Sequence, residues 1–226
     1  MNPLAVTKED GIVTRTFEAK FVLRSEDALR AQFAPTHELA LQKCQNTLGR
    51  HAMEFIRRSP FLCLGTQDGN GRADVSPRGD PPGFVNIIDS RTIAIPDRPG
   101  NNRLDSLSNI IANPCVGLLF LIPGFEDTLR INGRATLVTD PDLLAGMRVN
   151  DRTPSLAIIV EIDEVFFHCA KALKRARLWD PAQHQVRQEM PSLIKMILDE
   201  TTGAPDETEM HKLDAGLEED YKRTLY

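Results

Sequence analysis

A basic turn, Pro96-Asp97-Arg98-Pro99-Gly100-Asn101-Asn102-Arg103, joins an apolar segment to a segment with helical periodicity. The segment before it, Thr92-Ile93-Ala94-Ile95, is typical of a β-strand, and apolar residues from Leu104 to Ile111 recur at helical spacing. A turn between a strand and a helix brings the free N–H groups of the helix next to the guanidinium groups of the turn. Because both groups bind anions, we predict that this turn holds a phosphate group. A solvated basic turn is the alternative interpretation.

The composition indicates an ordinary globular protein of 226 residues, with 41% hydrophobic and 26% charged residues. The formal net charge of -5 argues against a nucleic-acid-binding protein, which needs a basic face to neutralise phosphates. The first ten residues lack the apolar core of a secretion signal, and no apolar run approaches the length that spans a bilayer. We therefore expect a cytoplasmic protein with no nucleic-acid or membrane partner.

The middle of the chain has the pattern of an antiparallel sheet. Two hairpins are predicted, one with strands Phe61–Thr66 and Ala73–Ser76 and the other with strands Phe84–Ile88 and Thr92–Ile95. Further strands are predicted at Val116–Ile122, which is apolar on both faces, and at Thr128–Val138, Leu156–Ile162 and Phe166–Cys169. Six or seven strands spaced in this way predict a mainly β protein built on a small antiparallel barrel with flanking helices.

Helical patterns flank this sheet. The segments Ser25–Phe33 and Thr36–Arg58, the latter with Gly49 as a weak point, predict a helical N-terminal quarter. Shorter helices are predicted within the barrel at Asn102–Ala112 and Pro141–Val149, and in the tail at Leu193–Leu198. The predicted organisation is one globular unit, with an N-terminal helical extension packed on the barrel at 1–58, a barrel domain at 59–180 and a helical tail at 181–226.

Metal-binding patterns are lacking. The four cysteines are far apart and form no C-x-x-C pair, and the adjacent His168 and Cys169 would point to opposite faces of a strand. We therefore predict no metal site.

Three motifs in this order resemble the pyridoxamine 5'-phosphate oxidase-like family of FMN-binding split barrels. They are Ser76-Pro77-Arg78-Gly79-Asp80, the turn from Asp97 to Arg103, and Leu129-Arg130-Ile131-Asn132-Gly133. The similarity covers roughly residues 55 to 180 and is greatest to the branch described as FMN-dependent enzymes. It implies a split β-barrel, FMN as the cofactor and a homodimer that seats FMN between two barrels.

The resemblance also implies the site residues. Asn101, Asn102 and Arg103, with Arg98 adjacent, would hold the FMN phosphate, and Arg78 would be the basic residue at the end of the earlier strand. Ser76, Arg78 and Arg130 are candidates to face the flavin ring, along which the backbone of Val75–Arg78 and of Ile95–Asp97 would lie. Lys171 and Arg177 would approach the cofactor of a neighbouring subunit, and a solvated helix face is the alternative.

The substrate is less certain than the cofactor, because the chain departs from the oxidase pattern. Thr128 and Arg177-Leu178-Trp179 stand where the oxidase has a glutamine and an Arg-Leu-His motif, and an indole cannot exchange a proton as an imidazole does. An FMN-dependent oxidoreductase acting on a small soluble substrate is the first hypothesis. The alternatives are a flavin-binding carrier or sensor without turnover, and a barrel that holds a deazaflavin or haem.

Overall fold

In the structure, a computed structural model that describes residues 4–9, 12–36, 38 and 42–225, strands β1 (Leu4–Glu9) and β2 (Ile12–Phe17) pair as an antiparallel hairpin. The prediction of a wholly helical N-terminal quarter is therefore wrong. The missed signal was local, since Asp10-Gly11 separates the two strands in the sequence and Asp-Gly is a strong hairpin signal. The segment predicted to be helical from Ser25 contains α1 (Glu26–Arg30), and the Ser25 side chain caps this helix by accepting a hydrogen bond from the Ala28 N–H.

Residues 1–42 form one compact unit and residues 43–226 form a second. The second unit contains a seven-stranded antiparallel sheet with the strand order β4-β3-β7-β8-β9-β6-β5. Its strands are β3 (Phe61–Gln67), β4 (Ala73–Gly79), β5 (Asn86–Ile87), β6 (Thr92–Pro96), β7 (Cys115–Leu121), β8 (Thr128–Val138) and β9 (Ala157–His168). The predicted mainly β fold with flanking helices is confirmed, and the two segments predicted at 156–162 and 166–169 form the single strand β9.

The helices of the second unit lie before, between and after these strands. They are α2 (Arg50–Arg58), α3 (Asp105–Ala112), α4 (Pro141–Ala145), α5 (Lys171–Ala176), α6 (Leu193–Asp199) and α7 (Glu207–Thr224). None of the helices in the described part of the chain is both long and apolar enough to cross a membrane.

The helix predicted from Thr36 to Arg58 is interrupted in the structure, since Glu38 and Gln42 are helical but residues 43–49 are not. Residues 37 and 39–41 lie outside the described residues, and Gly49 is the N-cap of α2 rather than a weak point inside a longer helix. Before this cap, Gln45 pairs with Val165 through two backbone hydrogen bonds of 3.0 and 2.7 Å. This pairing with β9 replaces the helical hydrogen bonds that the sequence pattern predicted.

The main core packs residues of the sheet against α2 and α3. Its fully buried side chains include Ile56 of α2, Leu62 of β3 and Phe120 of β7. Strand β7 was predicted to be buried on both faces, but only one face is buried, while Leu119 and Leu121 on the other face are half-buried. The outer face of this central strand is thus apolar and partly exposed.

Candidate functional site

A cleft of about 860 Å³ opens where β4 and β6 end. Its walls come from β4, the turn after β6, the first turn of α3 and the loop that precedes β9. The lining residues are Asp74, Ser76–Gly79, Phe84, Pro96–Leu107 and Arg152–Leu156. The structure therefore brings together seven of the predicted site residues, namely Ser76, Arg78, Asp97, Arg98, Asn101, Asn102 and Arg103.

A network of side-chain hydrogen bonds fixes the N-terminal turn of α3 against β4. The buried Ser106 hydroxyl lies 2.7 Å from Oδ2 of Asp74 and 3.0 Å from the Ser76 hydroxyl. One turn later, the Asn109 amide donates to the Thr66 hydroxyl of β3 at 3.1 Å. Because these contacts are buried or half-buried, they hold the start of the helix in one position at the cleft.

The turn that enters α3 is held in an unusual backbone conformation. Asn102 and Leu104 have φ angles of 58° and 60°, in the left-handed region that non-glycine residues rarely occupy. The Asn101 side chain accepts a hydrogen bond from the Arg103 N–H at 3.1 Å and braces the turn. Leu104 is the N-cap, and no side chain of the described residues caps the helix. The first N–H groups of α3 are therefore available to a ligand in the cleft.

Two ion pairs join the end of β4 to the turn after β6, and the arginine comes from β4 in one pair and from the turn in the other. Arg78 on β4 donates to Asp97 in the turn, and Arg98 in the turn donates from Nε to Oδ2 of Asp80 at 2.6 Å. The second pair is the more enclosed, since the Asp80 side chain is 1% exposed and that of Arg98 is 13% exposed. Arg98 also donates to the carbonyl oxygen of Met147 at 2.8 Å. These contacts show that the sheet curls until its two ends approach each other, as in a split barrel.

The remaining guanidinium groups of the cleft are open to solvent. The Arg103 side chain is 73% exposed and donates from Nε to Asp105 at 2.7 Å. This hydrogen bond and the negative charge of Asp105 raise the pKa of Arg103 above its ordinary value. Arg152, in the loop before β9, also lines the cleft, and the structure shows no ion pair for it with any described residue.

Four predicted site residues lie elsewhere in the molecule. Ile95 is fully buried inside β6 and does not line the cleft. Arg130 lies on β8, 3.8 Å from the Glu164 carboxylate and over the ring of Phe166. Lys171 begins α5, and Arg177 follows that helix. The structure thus places Arg130, Lys171 and Arg177 outside the cleft of their own chain.

Arg130 belongs to a separate polar cluster, in which the amide of Asn132 donates to Glu164 at 2.8 Å. Burial, followed by the hydrogen bond to Glu164, raises the pKa of the Cys44 thiol in the same cluster. Cys44 is therefore a protonated, weakly nucleophilic thiol at neutral pH. In the part of the chain that the structure describes, no group of three or more His, Cys, Asp or Glu side chains is arranged to hold a metal ion.

The Arg177-Leu178-Trp179 segment makes contacts within its own chain. The Arg177 guanidinium donates from Nε to Asp180 at 3.0 Å, and the Trp179 indole N–H donates to the Phe125 carbonyl oxygen at 2.7 Å. Trp179 therefore ties the residues after α5 to the loop between β7 and β8.

Sequence reasoning missed two features of the cleft. Arg152 was not selected, although it follows the polar residues Asn150 and Asp151 in the loop that leads to β9. The partners of Arg78 and Arg98 were also missed. Local sequence carries no signal for those ion pairs, because they depend on how far the sheet curls.

The family model described as pyridoxamine 5'-phosphate oxidase matches residues 48–169, which is more than half of the chain. The chain therefore belongs to the pyridoxamine 5'-phosphate oxidase family, and its fold is the split barrel that the sequence motifs predicted. A comparison with curated proteins found no match.

Several solved structures are similar to this chain at low identity. HupZ of Group A Streptococcus is 14% identical with a TM-score of 0.44, covering 53% of this chain and 93% of that chain. An FMN-binding protein from Syntrophomonas wolfei is 11% identical with a TM-score of 0.43, covering 63% of this chain and 96% of that chain. A protein of the pyridoxinephosphate oxidase family from Clostridium acetobutylicum, related to general stress protein 26, is 12% identical with a TM-score of 0.41, covering 52% and 85%.

Proposed function

We propose that the cleft binds FMN and that the protein is an FMN-dependent oxidoreductase acting on a small soluble substrate. The observation that carries this proposal is the uncapped N-terminus of α3, which opens onto a cleft bordered by arginines. Backbone N–H groups and the positive end of the helix dipole attract a phosphate dianion. The cleft volume of about 860 Å³ lies within the range of pockets that hold small ligands and cofactors.

Different residues of the cleft would contact the phosphate and the ring of FMN. Arg103 and the amides of Asn101 and Asn102 would hold the phosphate at the start of α3. Asp105 is the present partner of Arg103, and the exposure of this pair leaves the guanidinium free to contact a dianion as well. Arg98 would act indirectly, because its contacts with Asp80 and Met147 fix the turn on which these residues stand.

The ring of FMN would lie along the edge strand β4. An edge strand presents unpaired backbone groups, and those from Ser76 to Gly79 line the cleft. Arg78 would place positive charge near the ring, and Asp97 holds its guanidinium in position. Bound flavin supplies the electron-transfer chemistry, while the protein supplies binding, orientation and charge.

The first experiment is an absorbance spectrum of the purified protein, followed by addition of FMN to any protein free of ligand. Bound or readily captured flavin supports the proposal. Failure to bind FMN would refute it, and the spectrum of a haem or a deazaflavin would indicate another cofactor. Reduction of the bound flavin by NADH, NADPH or an amine, with reoxidation in air, would support an enzyme. A flavin unreactive toward these donors would instead indicate a carrier or sensor.

Oxidation of pyridoxamine 5'-phosphate is not part of this proposal. Trp179 stands in place of the histidine of the oxidase motif, and its indole N–H is engaged by Phe125. Arg177 is held by Asp180 on the same surface. We therefore propose that this segment anchors the chain after α5 and that the substrate belongs to another class of small molecule.

We also propose a homodimer with FMN at the subunit interface. The half-exposed apolar face of β7, which includes Leu119 and Leu121, supports this assembly because a second barrel would cover it. Arg130, Lys171 and Arg177 lie outside their own cleft, so they would act only on the flavin of the partner. Sedimentation at micromolar concentration should give a particle of two chains, and monomers would contradict the proposal.

A further inference from the structure

One face of the edge strand β4 belongs to the cleft. Successive side chains of a strand alternate between its two faces, so Asp74, Ser76 and Arg78 share one face. All three residues line the cleft and are half-buried, whereas Val75 on the opposite face is 67% exposed. The Ser76 hydroxyl therefore lies in the cleft wall, with the Asp74 carboxylate on one side along the strand and the Arg78 guanidinium on the other.

The contacts of the Ser76 and Ser106 hydroxyls fix the direction in which each donates its proton. The Ser106 hydroxyl is 2.7 Å from Oδ2 of Asp74 and 3.0 Å from the Ser76 hydroxyl, but it has a single proton. Because a carboxylate only accepts, Ser106 donates to Asp74, and the contact between the two serines is donated by Ser76. A guanidinium only donates, and Arg78 donates from Nε to the Ser76 oxygen at 3.3 Å. The hydrogen bonds therefore run in one direction, from Arg78 through Ser76 and Ser106 to Asp74.

This direction leaves the Ser76 hydroxyl one position for a ligand, and that position is an acceptor. A serine hydroxyl has one proton and two lone pairs. The proton is used on Ser106, and one lone pair accepts from Arg78. The second lone pair has no hydrogen-bond donor among the residues that the structure describes. A ligand group that contacts the Ser76 hydroxyl must therefore donate a hydrogen bond.

The need for a donor distinguishes the parts of FMN. A phosphate dianion and the carbonyl groups of the flavin ring only accept, so neither matches the Ser76 hydroxyl. The ribityl chain, which joins the ring to the phosphate, carries hydroxyl groups that can donate. Ser76 contacts the first turn of α3, where the phosphate would bind, and it also contacts Arg78, which would lie near the ring. The ribityl chain has to pass between those two places.

We propose that the Ser76 hydroxyl accepts a hydrogen bond from a hydroxyl group of the FMN ribityl chain. This inference rests on the proposed function, and it replaces the assignment of Ser76 to the flavin ring that the sequence motifs implied. The cleft then recognises the phosphate at the start of α3, the ribityl chain at Ser76 and the ring near Arg78. A flavin without ribityl hydroxyl groups gains nothing from Ser76.

The test is to titrate flavin-free protein and its Ser76→Ala variant with three flavins, following flavin fluorescence. The flavins are FMN, riboflavin, which lacks the phosphate, and lumiflavin, which has a methyl group in place of the ribityl chain. Ser76→Ala should weaken the binding of FMN and of riboflavin by the same factor, about 3- to 10-fold, because each loses one hydrogen bond. Lumiflavin should bind equally to both proteins.

Two further variants serve as controls. Ser76→Thr keeps a hydroxyl group at this position, and it should bind FMN and riboflavin as the natural protein does. Ser108→Ala removes an exposed hydroxyl group of α3 that does not line the cleft, and it should leave the binding of all three flavins unchanged. Recovery in Ser76→Thr, together with unchanged binding of lumiflavin by Ser76→Ala, would show that the loss comes from the hydroxyl group and not from misfolding.

The outcomes separate this inference from the proposed function. If Ser76→Ala binds riboflavin as the natural protein does, the inference is overturned, although FMN binding by the natural protein still supports the proposed function. A loss confined to FMN would place Ser76 at the phosphate, and an equal loss for lumiflavin would place it at the ring. Either result would overturn the ribityl contact. Failure of the natural protein to bind FMN would refute the proposed function together with this inference.

Discussion

The two arginines of the turn, Arg98 and Arg103, carry the same charge but have different tasks. Arg98 is enclosed and paired with a buried carboxylate, whereas Arg103 is exposed and paired with the exposed Asp105. Removing one partner of a buried ion pair leaves an uncompensated charge, while an exposed pair contributes little. Local sequence could not distinguish the two, because burial depends on the curl of the sheet and on the loop that carries Met147.

We predict that Arg98→Gln lowers the free energy of unfolding by about 3 kcal/mol, because the buried Asp80 carboxylate then loses the positive charge of Arg98. Arg103→Gln should lower it by less than about 1 kcal/mol. Urea denaturation of both variants measures the difference. An equal loss of unfolding free energy in the two variants would show that the Arg98–Asp80 pair does not stabilise the contact between β4 and the turn after β6.

A second prediction at this scale concerns Asp68, in the turn between β3 and β4. Its carboxylate accepts hydrogen bonds of 2.8 Å from the backbone N–H groups of Arg72 and Asn70, and the bond from Arg72 contributes most to the lowering of its pKa. A lowered pKa means that the charged form stabilises the fold above the ordinary value of 3.8. This contribution is lost as the pH falls through the lowered pKa.

Asp68→Ala should therefore be less stable than the natural protein at neutral pH. The difference in stability between the two proteins should become smaller as the pH falls below 3.8. Thermal unfolding of both proteins across that range measures it. A difference in stability that does not change with pH would show that the charged Asp68 carboxylate does not stabilise the fold.

At the scale of elements, the strands were the most predictable part of the chain. Thr128–Val138 alternates apolar and polar residues and forms β8 with the predicted bounds. The helix predicted at Thr36–Arg58 was wrong over residues 43–49, because backbone pairing between Gln45 and Val165 competes with helix formation there. A periodic pattern reports which face is apolar and carries no information about such long-range pairing.

The bulge between β8 and β9 was also not predicted from the sequence. The register shifts between Asn132 and Gly133, and a side chain at Gly133 would place its Cβ 2.1 Å from the Glu161 carbonyl oxygen. We predict that Gly133→Ala lowers the free energy of unfolding by about 2 kcal/mol or more, because backbone must move to relieve the clash.

Gly216→Ala is the matched control for Gly133→Ala. Gly216 lies within α7, and a Cβ there meets no atom within 4 Å. Alanine should raise the free energy of unfolding by about 0.5 to 1 kcal/mol, since glycine is unfavourable inside a helix. Denaturant unfolding of both variants should therefore give changes of opposite sign, and two changes of the same sign would contradict the account.

At the scale of the whole molecule, the cleft combines residues that are far apart in sequence. The sequence motifs identified β4 and the turn before α3, because both are continuous segments with recognisable residue types. Arg152 escaped prediction, because it reaches the cleft only when the loop before β9 folds against the turn after β6. Local motifs therefore identified two walls of the cleft, and only the folded chain added the loop before β9 to them.

The central claim is that the turn before α3 binds the phosphate of FMN. Its most direct test is to titrate flavin-free protein and its Arg103→Gln variant with FMN and with riboflavin, which lacks the phosphate. The account predicts one FMN per chain and binding weakened about 10- to 100-fold in the variant, with riboflavin bound weakly and equally by both proteins. Equal binding of FMN by the two proteins, or an equal loss of FMN and riboflavin binding in the variant, would contradict it.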